Sequence, residues 1–178
     1  MNILTISGSQ RAASLNTMLL RALPACAPDG MSFTQLDYSA LGLYNQDLEA
    51  SFPEVATQLK AQIRAADAVI ISTPEYNRSI PAPLKNLIDW TSRPYGDSAW
   101  AGKPVYVIGA TGGAIGTALA QADLRKVLLY LDARVAGQPE VYLSGAMQKF
   151  GEDGALTDDA TREHLKAALA AFAAFVGK

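Results

Sequence analysis

Ile3-Leu4-Thr5-Ile6-Ser7-Gly8-Ser9-Gln10-Arg11-Ala12-Ala13-Ser14-Leu15-Asn16-Thr17 is the stretch that decides the fold. Its first five residues are mostly apolar, lack strict alternation and run into Gly and Ser, which is how a strand covered on both faces reads. Leu19, Leu20 and Leu23 then space a helix. The segment is therefore strand, loop and helix start. Val69 to Thr73 and Val105 to Ala110 repeat the apolar run, and both read as central parallel strands. Met31 to Leu36 and Val141 to Leu143, the latter set off by Pro139, are weaker and belong nearer the sheet edges.

Helical periods fill the gaps: Val55, Leu59 and Ile63 after Pro53; Leu84, Leu87 and Ile88 after Pro81 and Pro83; Leu124, Val127, Leu128 and Leu131; and finally Leu165, Leu169, Phe172 and Val176. Thr157 is the expected cap of the last helix, with Asp158 and Asp159 in its first turn, where the helix dipole favours anions. About five alternations of strand and helix predict an α/β three-layer sandwich on a doubly wound parallel sheet. At this length the flavodoxin-like order 2-1-3-4-5 is the natural one.

The 178 residues fit one domain, 1–178. With 49% hydrophobic and 18% charged residues the segments can bury enough surface to order themselves. A net charge of −2 with scattered Lys and Arg gives no electrostatic footprint for nucleic acid or an anionic membrane, so small molecules or proteins are the expected partners. No apolar run approaches the roughly 20 residues that span a bilayer. Cys26 is the only cysteine, and Met1-Asn2 leads straight into Ile3 with no charged n-region, so a reducing, cytoplasmic setting is expected.

In an open parallel sheet, ligands bind beyond the carboxyl ends of the strands at the switch point between strands one and three. Gly8 to Thr17 feeds a helix N-terminus there, so free N–H groups, several hydroxyls and Arg11 can converge on an anion, with phosphate the obvious occupant. It is neither G-x-G-x-x-G nor G-x-x-x-x-G-K-[ST], and the dinucleotide and P-loop fingerprints are both absent. After strand three, Pro74-Glu75-Tyr76-Asn77 offers rigid backbone, an amide and an aromatic face, which suit a planar heterocycle. After strand four, Gly109 to Gly116 supplies bare backbone to which a flat ring can come close. The bland alternatives for these segments are a capped helix with a surface Arg and a glycine-rich turn without a ligand.

Taken together and in order, the segments resemble one family. Gly8 to Asn16 is similar to the G-S-x-R-x-x-S-x-N phosphate loop of NAD(P)H-dependent FMN reductases, and Pro74 to Asn77 to their P-E-Y-N flavin loop. Leu84-Lys85-Asn86 with Ile88-Asp89-Trp90, and Ala120-Gln121 with Leu124-Arg125, match further signatures. The resemblance implies that Ser9, Arg11, Ser14, Leu15, Asn16 and Thr17 hold the phosphate of FMN. It places Pro74, Glu75, Tyr76, Asn77, Ala110, Thr111, Gly112 and Gly113 around the isoalloxazine. It also implies NADPH or NADH as electron donor, a quinone, free flavin, azo compound or chromate-like oxyanion as acceptor, and a homodimer or homotetramer. Ala82 and Thr117 depart from the pattern, since Gly is frequent at both positions; they bear on the shape of the substrate side.

Such chemistry needs no protein acid, base or metal, because the cofactor carries it. His164, in the polar stretch Arg162-Glu163-His164, reads as surface, and Cys26 as a structural thiol. Asp89 and Trp90 read as a capping and a packing residue, and Glu152 and Asp153 as an exposed turn. Arg78 and Arg93 are the candidates to meet a nicotinamide dinucleotide phosphate. The competing function is a flavodoxin-type electron carrier, against which Arg11 argues, because the carrier loop resembles a Thr-rich, Arg-free sequence. Ile115, Leu119 and Ala122 lie off the apolar stripe of their helix and, with Tyr76, Ile80 and Trp90, predict an apolar surface for a subunit interface beside the flavin.

Overall fold

The computed structural model describes residues 1–177. Its strands are β1 (Asn2–Ser7), β2 (Ser32–Gln35), β3 (Ala68–Ser72), β4 (Pro104–Ala110) and β5 (Arg134–Leu143), and its long helices are α1 (Leu15–Ala22), α2 (Glu54–Ala65), α3 (Ala82–Thr91), α4 (Ala118–Tyr130) and α5 (Asp159–Val176). The strands form one parallel sheet in the order β2-β1-β3-β4-β5, the doubly wound order expected from the sequence.

The missing alternation in the central strands has a direct cause. Successive residues point to opposite faces of the sheet, and both faces are covered. Ile3, Ile70, Tyr106 and Ile108 pack under α1 and α5 with Leu19, Leu20, Leu165, Leu169 and Phe172. Leu4, Ile6, Val69, Ile71, Val105 and Val107 pack under α2, α3 and α4 with Leu59, Ile63, Leu84, Leu87, Leu124 and Leu128.

Three local expectations are corrected. Strand β5 begins at Arg134, well before Val141, and runs through Pro139. Its pairing with β4 jumps from Tyr106↔Ala136 to Ile108↔Val141, and at the sheet edge such an irregularity absorbs a residue that cannot donate to a ladder. The cap of α5 is Asp158, whose Oδ1 accepts the Thr161 N–H at 2.8 Å, while the Thr157 hydroxyl donates to the Lys149 carbonyl at 3.1 Å. Trp90 is not surface: it is 1% exposed, and its indole N–H donates to the Gly42 carbonyl at 2.9 Å. No helix among the described residues is long and apolar enough to cross a membrane.

Candidate cofactor site

The loops that leave β1, β3 and β4 meet at the carboxyl edge of the sheet. The Gly8 N–H donates to the Ser72 carbonyl at 2.8 Å, pinning the first loop to β3 as it starts. A Cβ on Gly8 would stand 3.0 Å from Pro74 Cδ and 3.1 Å from Leu84 Cδ2, so the close approach of the two loops favours glycine there. Ser14 caps α1, its hydroxyl accepting the Thr17 N–H at 3.2 Å. That leaves the first-turn amides of Leu15 and Asn16 with no intrahelical carbonyl to reach. Ser9 is half-buried beside them, and its hydroxyl accepts from the Arg11 N–H at 3.4 Å. Arg11 is exposed and curls over the loop, its guanidinium donating to the Ala13 carbonyl at 2.5 Å.

Two of the expected phosphate residues turn their side chains inward. Asn16 is 2% exposed; its Oδ1 accepts from Ser72 Oγ at 2.8 Å and from the Ala110 N–H at 3.0 Å, and its Nδ2 donates to the Ala110 carbonyl at 3.0 Å. The side chain ties α1 to β3 and β4, and what it offers the loop is its backbone N–H. The Thr17 hydroxyl lies 2.8 Å from that of Ser7, which also donates to the Ser9 carbonyl at 3.0 Å.

The cleft above this loop is closed on its far side by Asp37, Tyr38 and Ser39, which follow β2. The Tyr38 hydroxyl donates to the Ser7 carbonyl at 2.7 Å, and burial pushes that phenol well above its ordinary range. The Asp37 carboxyl is held below its usual range by the N–H of Ser39. Sequence reasoning missed these residues, although their place at the carboxyl end of a strand beside β1 was the available signal.

The second wall is a hairpin. Tyr76 and Ser79 exchange backbone hydrogen bonds of 3.1 and 3.0 Å, and the two residues between them, Asn77 (φ 51°) and Arg78 (φ 66°), are both left-handed. A two-residue turn of this hand matches strand twist but favours Gly at its second position, so Arg78 sits there at a cost of about 1 kcal/mol or more. Two staples fix the hairpin to α4. Glu75 Oε2 accepts the N–H groups of Leu119 and Ala120 at 3.1 and 3.3 Å, capping a helix whose own N-cap residue, Thr117, makes no side-chain cap. Ser79 Oγ donates to Asp123 Oδ2 at 2.7 Å, and this bond, with Lys126, holds the Asp123 carboxyl below its usual range.

The third wall follows β4. The Thr111 N–H donates to the Leu143 carbonyl, that of Ala146 to the Thr111 carbonyl and that of Gly145 to the Gly113 carbonyl, at 2.9, 2.9 and 3.1 Å, so the glycine loop is lashed to the end of β5. Gly112 and Gly113 present exposed backbone. Between the second and third walls opens a cleft lined by Glu75, Asn77, Arg78, Thr111, Gly113, Ala114, Ile115 and Thr117. Arg78 thus stands at this cleft. Arg93 lies past the other end of α3, stacked 3.9 Å from the Tyr95 ring centroid, about 15 Å of helix away.

Free first-turn amides at the end of β1 thus stand beside an open, glycine-backed cleft between β3 and β4. The family model for NADPH-dependent FMN reductase matches residues 1–148. The chain belongs to that family. A 2-hydroxy-1,4-benzoquinone reductase from a Burkholderia species is 45% identical over 176 residues, covering 99% of this chain and 96% of that protein. The structure of FerB, a flavoenzyme NAD(P)H:(acceptor) oxidoreductase from Paracoccus denitrificans, superposes with a TM-score of 0.92 at 40% identity, covering 99% of this chain and 97% of the other. A Pseudomonas aeruginosa flavodoxin, 19% identical with a TM-score of 0.62, shares the fold.

This FMN reductase is an oxidoreductase built around FMN and driven by NAD(P)H; the electron-carrier reading is not favoured. The residues set aside in the sequence lie away from the cleft. The exposed His164 ring places Nε2 2.9 Å from the Glu140 carbonyl. Cys26 is buried, which pushes its thiol up.

Proposed function

We propose that the chain holds FMN with its phosphate in the Gly8–Thr17 loop and its ring in the cleft between the Glu75 hairpin and the Thr111–Thr117 loop, and passes electrons from NAD(P)H to a small quinone. The observation that carries the reading is the juxtaposition of the two half-sites across β3: β1 and β4 stand two strand spacings apart, about 10 Å. Leu15 and Asn16 donate their amides to the phosphate, Arg11 swings its guanidinium from the Ala13 carbonyl onto it, and the Ser9 and Ser14 hydroxyls complete the set.

A bound FMN would supply the redox chemistry, hydride acceptance from the nicotinamide and electron delivery to the second substrate. The chain positions and shields. The exposed Gly112 would offer its backbone N–H to the ring edge on which reduction places negative charge, while that of Gly113 donates to the Thr111 hydroxyl at 3.2 Å and holds the loop in shape. The Glu75 carboxylate is occupied by the α4 amides and, through Oε1, by Arg78 at 3.1 Å, so it does not face the ring as a bare charge. Tyr76, 52% exposed, forms the outer rim beside Pro74 and Asn77. Free flavin, azo compounds and chromate-like oxyanions fit the same open face, and a single buried thiol suits a reducing, cytoplasmic setting.

The test is uptake and turnover. Apoprotein is titrated with FMN and with riboflavin, and NADPH and NADH oxidation is then followed with a benzoquinone and no partner protein. FMN should bind far more tightly than riboflavin and the quinone should be reduced; equal affinity, or no turnover without a protein partner, overturns the reading.

The working unit we infer is a homodimer or homotetramer with the cleft at a subunit boundary. Ile115, which lines the cleft, and Leu119, in the first turn of α4, are 43% and 45% exposed, and Ala122 continues the stripe along α4. Buried Trp90 takes no part. Leu119→Glu should yield monomers with impaired turnover in light scattering and assay; a fully active wild-type monomer at micromolar concentration contradicts the proposal.

A further inference from the structure

Between the glycine loop and α4 the chain turns through two consecutive left-handed residues, Gly116 (φ 65°) and Thr117 (φ 66°). Gly116 has no alternative: a Cβ there would lie 2.6–2.7 Å from the backbone and Cβ of Tyr142. Thr117 is β-branched, for which this conformation is strained. It is also 1% exposed and lines the ring cleft. The corner is held against that strain from below. Gln121, 0% exposed, directs its amide nitrogen at the Val141 carbonyl of β5 (3.0 Å), the Thr117 hydroxyl (3.1 Å) and the Gly116 carbonyl (3.3 Å). Carbonyls only accept, so these partners fix which way the amide faces.

The unit interlocks with the strand beneath it. A Cβ on Gly109 would fall 1.9 Å from Thr117 Oγ1 and 3.0 Å from Gln121 Nε2, so β4 is bare where the corner presses on it. Gln121 Oε1 is buried without a partner among the described residues, as is Arg125 Nε one turn further along α4. An orphaned buried acceptor is destabilising, and a leucine of similar size would avoid it. A glutamine kept at that cost serves its nitrogen.

We propose that Gln121 is a positioning residue of the flavin site: its carboxamide holds the Gly116–Thr117 corner against β5 and so sets the loop whose backbone faces the ring. It touches neither cofactor nor substrate and acts through Thr117. The inference rests on the FMN site proposed above, and the experiment separates the two.

Apoprotein of wild type, Gln121→Leu and the double variant Gln121→Leu/Thr117→Gly is titrated with FMN, and midpoint potentials are measured on the reconstituted proteins. Gln121→Leu should weaken FMN about tenfold, the scale of one lost hydrogen bond. It should also make the potential more negative, because loop amides no longer settle beside the reduced ring. Thr117→Gly in that background should recover most of both losses, since glycine adopts the corner unaided. Unchanged affinity and potential in Gln121→Leu, even with a lowered melting temperature, overturn the proposal, as does a double variant no better than the single. If Gln121→Leu does not fold, the double variant decides: folded and FMN-binding supports the brace, unfolded refutes it. A wild type that takes up no FMN overturns the site and this inference together.

Discussion

The proposed phosphate loop and the proposed ring cleft lie side by side on one sheet edge, yet they are assembled differently. The phosphate loop draws its donors from Ser9 to Asn16, one short stretch closing on its own helix start. The ring cleft needs residues from four parts of the chain: the Glu75 hairpin, the Thr111 loop, the first turns of α4 and the end of β5, joined by bonds such as Glu75–Leu119, Ser79–Asp123, Thr111–Leu143 and Gln121–Val141. A local half-site is specified by one motif. A distributed one is specified by contacts that no single window of sequence displays.

The contrast has one exception, and the largest expected effect lies there. Asn16 belongs to the local motif, but its side chain is the long-range anchor of α1 on β3 and β4. Asn16→Ala leaves the Ser72 hydroxyl and both polar groups of Ala110 unpartnered in the interior, a loss of about 3–5 kcal/mol at roughly 1–3 kcal/mol for each orphaned group. Urea unfolding of the apoprotein should show it without flavin. A loss confined to FMN binding, with apoprotein stability intact, would return Asn16 to the phosphate.

Gly109→Ala probes the distributed half. The new methyl meets Thr117 Oγ1 at 1.9 Å and the Thr73 carbonyl at 2.6 Å, and the second is backbone that cannot swing aside. Overpacking of this kind costs about 1–3 kcal/mol, and the backbone clash places it at the upper end. FMN affinity should fall with stability, because the displaced element is the cleft wall. Arg11→Ala should behave in the opposite manner: an exposed guanidinium contributes little to the fold, so thermal unfolding of the apoprotein should stay nearly unchanged while FMN binds about 1.5–3 kcal/mol more weakly, the worth of a charge-assisted hydrogen bond. Riboflavin affinity should not move in that variant.

The same division explains what was legible beforehand. The three central strands announced themselves because burial on both faces removes polar residues from them. The start of β5 was invisible, since Arg134 and Gln138 are exposed on an edge strand and Pro139 reads as a breaker until its edge position is known. The Gly8–Asn16 motif pointed to an anion-binding loop as an expectation, but not to the inward turn of Asn16 and Thr17, because buried and exposed polar residues look alike in a sequence. Glu75 was placed at the ring, whereas its function as the cap of α4 depends on Leu119, 44 positions away. Gln121 carried no signal beyond a family signature; its meaning lies in a left-handed threonine that sequence reading treats as an ordinary departure from glycine.

The smallest predicted effect concerns pH and the Ser79–Asp123 staple. The Asp123 carboxyl is held below its usual range, first by the Ser79 hydroxyl and then by Lys126. A carboxylate with a lowered folded-state pKa contributes stability that is fully present above the unfolded value, about 3.9, and is lost as pH falls through the folded value. The staple is therefore intact at neutral pH and loosens only in acid, below pH 4. Asp123→Asn keeps an acceptor for Ser79 but removes the charge, so its melting temperature at pH 7 should drop slightly and its acid dependence should flatten relative to wild type. The Gly8–Thr17 loop itself carries no carboxylate, so the ring half should loosen before it does. Flavin fluorescence should rise in wild type as pH falls below the ordinary carboxylate range, before Trp fluorescence reports unfolding, whereas in Asp123→Asn the two signals should coincide. Coincident transitions in wild type would mean that the two halves of the site unfold as one, and that the staple adds no local stability of its own.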